Sequence, residues 1–146
     1  MTRSGKRTIC VVLVIVMGIG LLCAPASAST RSSEYLASYR ASVLPDPDGR
    51  LVISASVNGR GTMTELGVKT IFLYESADGK SFQQVKTYES SQYPSMMGSG
   101  AFFCEDLFVY QGKVGYYYFA SVYVYAGKDG MGDTRNYTTT TVKAIA

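Results

Sequence analysis

The segment that most constrains this chain runs from Gly115 to Ala126, reading Gly-Tyr-Tyr-Tyr-Phe-Ala-Ser-Val-Tyr-Val-Tyr-Ala. It is β-branched and aromatic throughout, with no proline and no internal glycine, so its strand signal outweighs that of any other segment after the leader. In a strand, Tyr116, Tyr118, Ala120, Val122, Val124 and Ala126 share one face, and Tyr117, Phe119, Ser121, Tyr123 and Tyr125 share the other. Both faces are apolar enough to need cover, which predicts a central strand rather than an edge.

The chain has 146 residues, enough for one domain. Its start has the order of an export leader. Arg3, Lys6 and Arg7 are a basic region, Ile9 to Leu22 an apolar run, and Ala26-Ser27-Ala28 a small-residue cleavage pattern. A membrane anchor and a lipid-modified Cys23 are the competing readings. The apolar run is short for a bilayer, and Leu22 stands where a lipoprotein needs a small residue. The expected organisation is a signal peptide over 1–28, a polar lead-in over 29–33 and one β domain over 34–146, secreted to the extracellular side. Three of the 14 Lys and Arg lie in the leader, so 14 − 3 = 11 remain against 11 Asp and Glu. The mature chain is near neutral. Nothing in its charge favours nucleic acid, or a membrane once the leader is gone. Cys10 and Cys23 leave with the leader, and Cys104 alone cannot form an internal disulfide.

Seven strands are predicted in order. Glu34 to Leu44 alternates and ends in Pro45-Asp46-Pro47-Asp48-Gly49, strong turn chemistry. Arg50 to Asn58 places Leu51, Ile53, Ala55 and Val57 inward, and Asn58-Gly59-Arg60-Gly61 reads as its end. Thr62 to Gly67 reads as a loop, and Val68 to Glu75 as a strand with Ile71 and Leu73 in the core. Ala77-Asp78-Gly79-Lys80 is a tight hairpin in which Gly79 takes positive φ at no steric cost. Ser81 to Tyr88 returns with Phe82 and Val85 as anchors, and Glu89 to Gly100 reads as a long loop with Met96 and Met97 covering the core. Ala101 to Tyr110 carries Glu105 and Asp106 on opposite faces, which predicts a bulge. Gly127 to Asp133 reads as a glycine-rich loop, and Thr134 to Ile145 as the last strand. Seven strands with turns between them and no helical period predict an all-β, seven-stranded antiparallel β-sandwich.

Gly115, Tyr118, Ala120 or Val122, Val124 and Ala126 resemble the penultimate strand of fibronectin type III and immunoglobulin-like domains. Leu73 to Val85 is similar to their third hairpin. The resemblance implies that Tyr118 is a tyrosine-corner residue whose hydroxyl bonds nearby backbone. The usual Leu and Pro before Gly115 are missing, and the chain has no Trp. The chain as a whole resembles small secreted proteins of Gram-positive, clostridia-type bacteria, a likeness that implies no activity.

There is no His, which removes Ser-His-Asp and Cys-His catalysis and most zinc sites. Glu65, Glu75, Glu89, Glu105 and Asp106 are the carboxylates from which an acid–base pair would be drawn. A glycosidase needs two such groups about 5–10 Å apart in a cleft, for which a small sandwich has little room. Asp46 with Asp48, and Asp129 with Asp133, are thin oxygen supplies for calcium and ordinary turn formers. Asn136-Tyr137-Thr138 is a formal glycosylation sequon. Cys104, between Phe103 and Glu105 in a strand, is expected to be buried and inert. The expectation is a non-catalytic binding module without cofactor or metal. Its binding face is Tyr117, Phe119, Tyr123 and Tyr125, joined by Phe72 and Tyr74, and its partner is a protein or a glycan. Weak self-association stays open. A small enzyme or inhibitor using loop carboxylates, or a structural envelope component, is the alternative. A second alternative is that the Glu89 to Gly100 segment, or the lead-in, folds over the aromatic face and buries it.

Overall fold

The computed structural model describes residues 33–146; the expected leader and most of the lead-in lie outside the described residues. The described chain is all-β and antiparallel. Seven strands form one continuous sheet: β1 (Leu36–Pro45), β2 (Arg50–Ser76), β3 (Gln83–Glu89), β4 (Met97–Gln111), β5 (Tyr117–Lys128), β6 (Met131–Thr138) and β7 (Val142–Lys143). A single 3-10 turn, Pro94–Met96, leads into β4. Among the described residues no helix is long and apolar enough to cross a membrane.

β2 is the spine. Its first half pairs with β1 on one edge and β4 on the other; its second half pairs with β5 on one edge and β3 on the other. β6 extends the sheet beyond β5, and β7 pairs with the start of β5 at Tyr117 and Tyr118. β1 also lies close to β5 without pairing to it, because the sheet curls into a half-barrel. The inside of the curl holds alternate residues of each strand. Leu51, Ile53, Ala55 and Val57 line it from the first half of β2, and Leu66, Ile71 and Leu73 from the second. Tyr118, Ala120, Val122, Val124 and Ala126 line it from β5. Each full burial of a Leu, Ile or Val contributes roughly 1.5–3 kcal/mol.

The expected break in the middle of β2 is not there. Gly59 to Gly67 stays in the strand, bending it with Gly61 at φ +102° and Gly67 at φ +151°. The β2–β4 register shifts between Asn58 and Met63 to absorb the bend. Met63 and Leu66 fill its inner side, and a Cβ on Gly67 would run into the Met96 carbonyl. These glycines read as turn formers in the sequence, but here they let two sheet halves share one strand. The expected bulge at Glu105 and Asp106 is also absent, because β4 pairs without a shift from Phe103 to Gln111. Instead Asp106 lies toward the sheet edge, where it accepts the Ser95 hydroxyl at 2.7 Å and the Leu107 N–H at 2.8 Å.

The other departures are local. β4 begins at Met97, inside the expected long loop. Of the two methionines there, Met96 is fully buried and Met97 only partly. Neither Phe82 nor Val85 anchors β3: Val85 is exposed, Phe82 is half-buried, and Tyr88 is the core residue. Tyr88 and Lys86 lie opposite the inward Ile71 and Leu73, which turns Val85 outward, and a register shift opposite Leu73 and Tyr74 puts Phe82 on the outer face. The glycine-rich loop shrinks to Asp129-Gly130, both at positive φ, between the paired Lys128 and Met131. The last strand is split in two, β6 and β7.

Candidate binding face

The outward face of β5 follows from the inward one. Ala120, Val122, Val124 and Ala126 are buried, so the intervening side chains stand on the other side of the sheet. Tyr117, Phe119, Tyr123 and Tyr125 are there, all partly buried, and so are Phe72 and Tyr74 on β2. Register brings the two strands' rings together, with Tyr74 opposite Phe119 and Thr70 opposite Tyr123. Tyr74 stacks on Phe119 with centroids 4.8 Å apart and planes 11° from parallel. Phe82 meets Phe119 edge-on at 4.9 Å, and Phe72 meets Tyr123 edge-on at 5.8 Å. Such pairs add about 0.5–1.5 kcal/mol each beyond area burial.

Each end of this aromatic row carries a lysine. The Lys69 ammonium sits 4.4 Å from the Tyr125 ring centroid, and the Lys143 ammonium 5.3 Å from that of Tyr117. Two glycines, unremarked as site residues in the sequence, seat Tyr125. They are Gly127 and Gly132, paired across β5 and β6, and a Cβ on either would run into the Tyr125 hydroxyl. Gly79, at φ +71°, similarly lies against the Tyr117 ring. The rim is polar: Thr134, Asn136 and Thr138 on β6 and Gln84 and Thr87 on β3 stand opposite face residues. Ser121 hydrogen-bonds Asn136 at 3.3 Å. The sequon asparagine is thus an exposed rim residue of this face.

The Glu89 to Gly100 segment takes another direction. Tyr93 packs on Tyr88 and Phe108, and Met96 enters the core. Its 3-10 turn lies against β4 and β2.

Beneath the face, Tyr118 is fully buried. Its hydroxyl accepts the Lys113 N–H at 2.8 Å and donates to the Glu75 carboxylate at 2.6 Å. Lys113 Nζ binds the other Glu75 oxygen at 2.6 Å. Burial alone would raise the Glu75 pKa, but the hydrogen bonds from Lys113 and Tyr118 and the Lys113 charge outweigh it and hold it below the ordinary value. Burial, reinforced by the Glu75 hydrogen bond, pushes the Tyr118 phenol up. Gly115, at φ +86°, donates its N–H to the Ala144 carbonyl in the turn before β5.

The remaining carboxylates are dispersed. Glu65 faces Lys69 at 3.9 Å, Glu89 accepts Ser91, and Glu105 stands exposed on β4. Glu75 and Asp78 share the rim of one hollow, but both are committed. Asp78 accepts the N–H groups of Ser81 and Lys80 and the Ser76 hydroxyl, which lower its pKa to about 2. Asp46 pairs with Arg50 at 3.5 Å, and Asp133 accepts Ser33 and faces Arg135 at 3.9 Å. No group of three His, Cys, Asp or Glu able to hold a metal ion occurs among the described residues. Cys104 is half-buried rather than buried, its thiol turned to the Met96 carbonyl at 3.6 Å, and burial raises its pKa. No protein-family model matches the chain, and no curated protein matches it either.

Proposed function

We propose that this chain is an exported, non-catalytic binding module of immunoglobulin-like or fibronectin type III-like kind, a β-sandwich in that sense, whose outer aromatic face holds a protein partner. One observation carries the reading: six aromatic side chains stay only partly buried on one sheet face while their strand neighbours are fully buried. An aromatic row of that size with a polar rim is the composition of an interface core rather than of ordinary surface. The Tyr118 hydroxyl on the Lys113 N–H, five residues upstream, supports the kinship with tyrosine-corner domains. A protein is favoured over a glycan because sugar rings stack on free aromatic faces. Here Tyr74 and Phe119 cover each other, Phe72 and Tyr123 are paired, and Lys69 and Lys143 lie over Tyr125 and Tyr117. What remains open is ring edges and hydroxyls, which suit protein surfaces.

The test uses chain recovered from culture supernatant, whose intact mass should begin at Ser29. The wild type and a Tyr123→Ser/Tyr125→Ser variant are passed over immobilised surface proteins and over insoluble wall glycan of the producing cell. Retention by protein, reduced roughly tenfold or more in the variant with melting unchanged, is the expected result; tenfold corresponds to about 1.4 kcal/mol. Retention by glycan alone would replace the protein partner. A large fall in melting temperature would make these tyrosines structural and end the proposal.

A further inference from the structure

The first half of β2 presents a different outer face. Pairing places four rows of three residues across β1, β2 and β4: Leu44-Val52-Val109, Ser42-Ser54-Leu107, Arg40-Ser56-Glu105 and Ser38-Asn58-Phe103. Leu44, Leu107, Val109 and Phe103 are 56%, 57%, 52% and 44% exposed, an unusual set of large apolar residues in solvent. Four of the polar residues between them bond one another in pairs. Ser42 bonds Ser54 at 2.8 Å, and Asn58 donates to Ser38 at 3.0 Å, so covering this face removes little hydration from unpaired groups. Arg40 and Glu105 are both exposed, on opposite sides of one row, and neither forms an ion pair among the described residues. Two strand spacings, about 10 Å, separate them.

We infer that this face binds a second copy of the chain, about a twofold axis running parallel to β2 between the two faces. That rotation keeps each residue in its row and exchanges the β1 side for the β4 side. Arg40 then meets the second copy's Glu105, and Glu105 its Arg40. Leu44 meets Val109, Val52 meets its own equivalent, and Phe103 comes over Ser38. At that last position lies a hollow of about 280 Å³ lined by Ser38, Tyr39, Arg40, Ser56 and Asn58, which receives the Phe103 ring. Strands crossing within about 30° are the ordinary aligned packing of sheets. Pairing through the free edge of β4 is disfavoured by the Pro94–Met96 turn, which lies beside Cys104 and Asp106, and by the Asp106 carboxylate on the Leu107 N–H. The four rows span only about 20 Å by 10 Å, below a standard interface, so the dimer is weak, with a Kd on the order of 10–100 µM.

Sedimentation of the described domain from about 1 µM to 1 mM tests this directly, since that range brackets the expected Kd. The weight-average mass should rise from monomer toward dimer. Glu105→Arg or Arg40→Glu, each placing like charges in contact, should weaken association roughly tenfold or more; the double exchange should restore it to within about threefold of wild type. Both positions are on the surface, so melting at low concentration stays unchanged. A monomer across the whole range, a dimer indifferent to Glu105→Arg, failure of the double exchange to rescue, or loss of the dimer in Tyr123→Ser/Tyr125→Ser would each overturn the inference.

Discussion

Replacing Tyr118 by Phe removes one oxygen from the centre of the domain and nothing else. The ring stays, in a site with no exposure, so no cavity beyond the hydroxyl is created. Two hydrogen bonds disappear. The bond to Glu75 joins a phenol to a carboxylate at 2.6 Å, and bonds to charged groups contribute about 1.5–3 kcal/mol. The bond from the Lys113 N–H at 2.8 Å is an ordinary one, worth about 1 kcal/mol, part of which water recovers at that half-buried position. Glu75 keeps the Lys113 ammonium, but that partner is largely exposed and screened by solvent. The expected loss is therefore about 2–3 kcal/mol near neutral pH, a fall in melting temperature of roughly 10 °C for a domain of this size.

The pH profile gives the same experiment a second readout. The Glu75 pKa is held below its ordinary 4.5 in the folded state, so its stabilisation is complete above that value and lost as pH falls below it. The gap between wild type and Tyr118→Phe should then narrow in acid. The Tyr118 pKa is raised above its ordinary 10.0, so its stabilisation is complete below pH 10 and lost as pH rises beyond it. The variant should accordingly lose stability less steeply than wild type above pH 10. Denaturant unfolding monitored by circular dichroism from acid to alkali measures both limbs. A loss under about 0.5 kcal/mol at neutral pH, or parallel profiles, would refute the reasoning.

The remaining predictions concern the face and the edges. Gly132→Ala places a Cβ against the Ala126 carbonyl and the Tyr125 hydroxyl, so it should cost about 1–3 kcal/mol of stability and displace the ring, seen as altered Tyr125 aromatic resonances. Asp78→Ala should flatten the acid limb between the ordinary 3.8 and about 2, because the lowered pKa contributes stability that wild type loses as pH falls through that window; urea midpoints against pH show it. Cys104, half-buried and with a raised pKa, should react with a thiol reagent at least about tenfold more slowly in the folded chain than in urea; equal rates would place the sulfur in solvent.

What the sequence made legible was period, and what it hid was register. Alternation in Leu51 to Val57 and in Tyr118 to Ala126 placed every one of those side chains on its observed side, because half-buried strands must alternate. The partner of the Tyr118 hydroxyl was hidden, since Glu75 lies forty-three positions earlier and meets it only through β2–β5 pairing. The Tyr125 seat was hidden too: Gly127 and Gly132 looked like parts of a loop, and only the two-residue turn at Asp129-Gly130 sets them opposite each other. Phe82 and Val85 do not anchor the core: Tyr88 and Lys86 lie opposite the inward Ile71 and Leu73, which turns Val85 outward, and a register shift invisible in composition puts Phe82 on the outer face against Phe119. Arg40, Ser56 and Glu105 form one row through two registers at once, so no single segment carries that signal.

The bend in β2 gives these observations a common cause. Bent at Gly61 and Gly67, β2 carries small polar residues outward in its first half and aromatic ones in its second, so the two outer faces lie on different stretches of the spine. The two proposed contacts therefore do not compete: a second copy on Arg40, Leu44, Phe103 and Glu105 leaves Phe72, Tyr74, Phe119 and Tyr123 open. A dimer then displays two aromatic faces from one assembly. Against a partner that repeats along a surface, the second engagement is intramolecular, and linked sites gain apparent affinity of about 10²–10⁴-fold when their geometry permits both. A weak dimer is sufficient for that effect, because the partner surface itself concentrates the copies. This accounts for a domain that keeps large apolar residues in solvent on one face and a row of aromatic rings on the other.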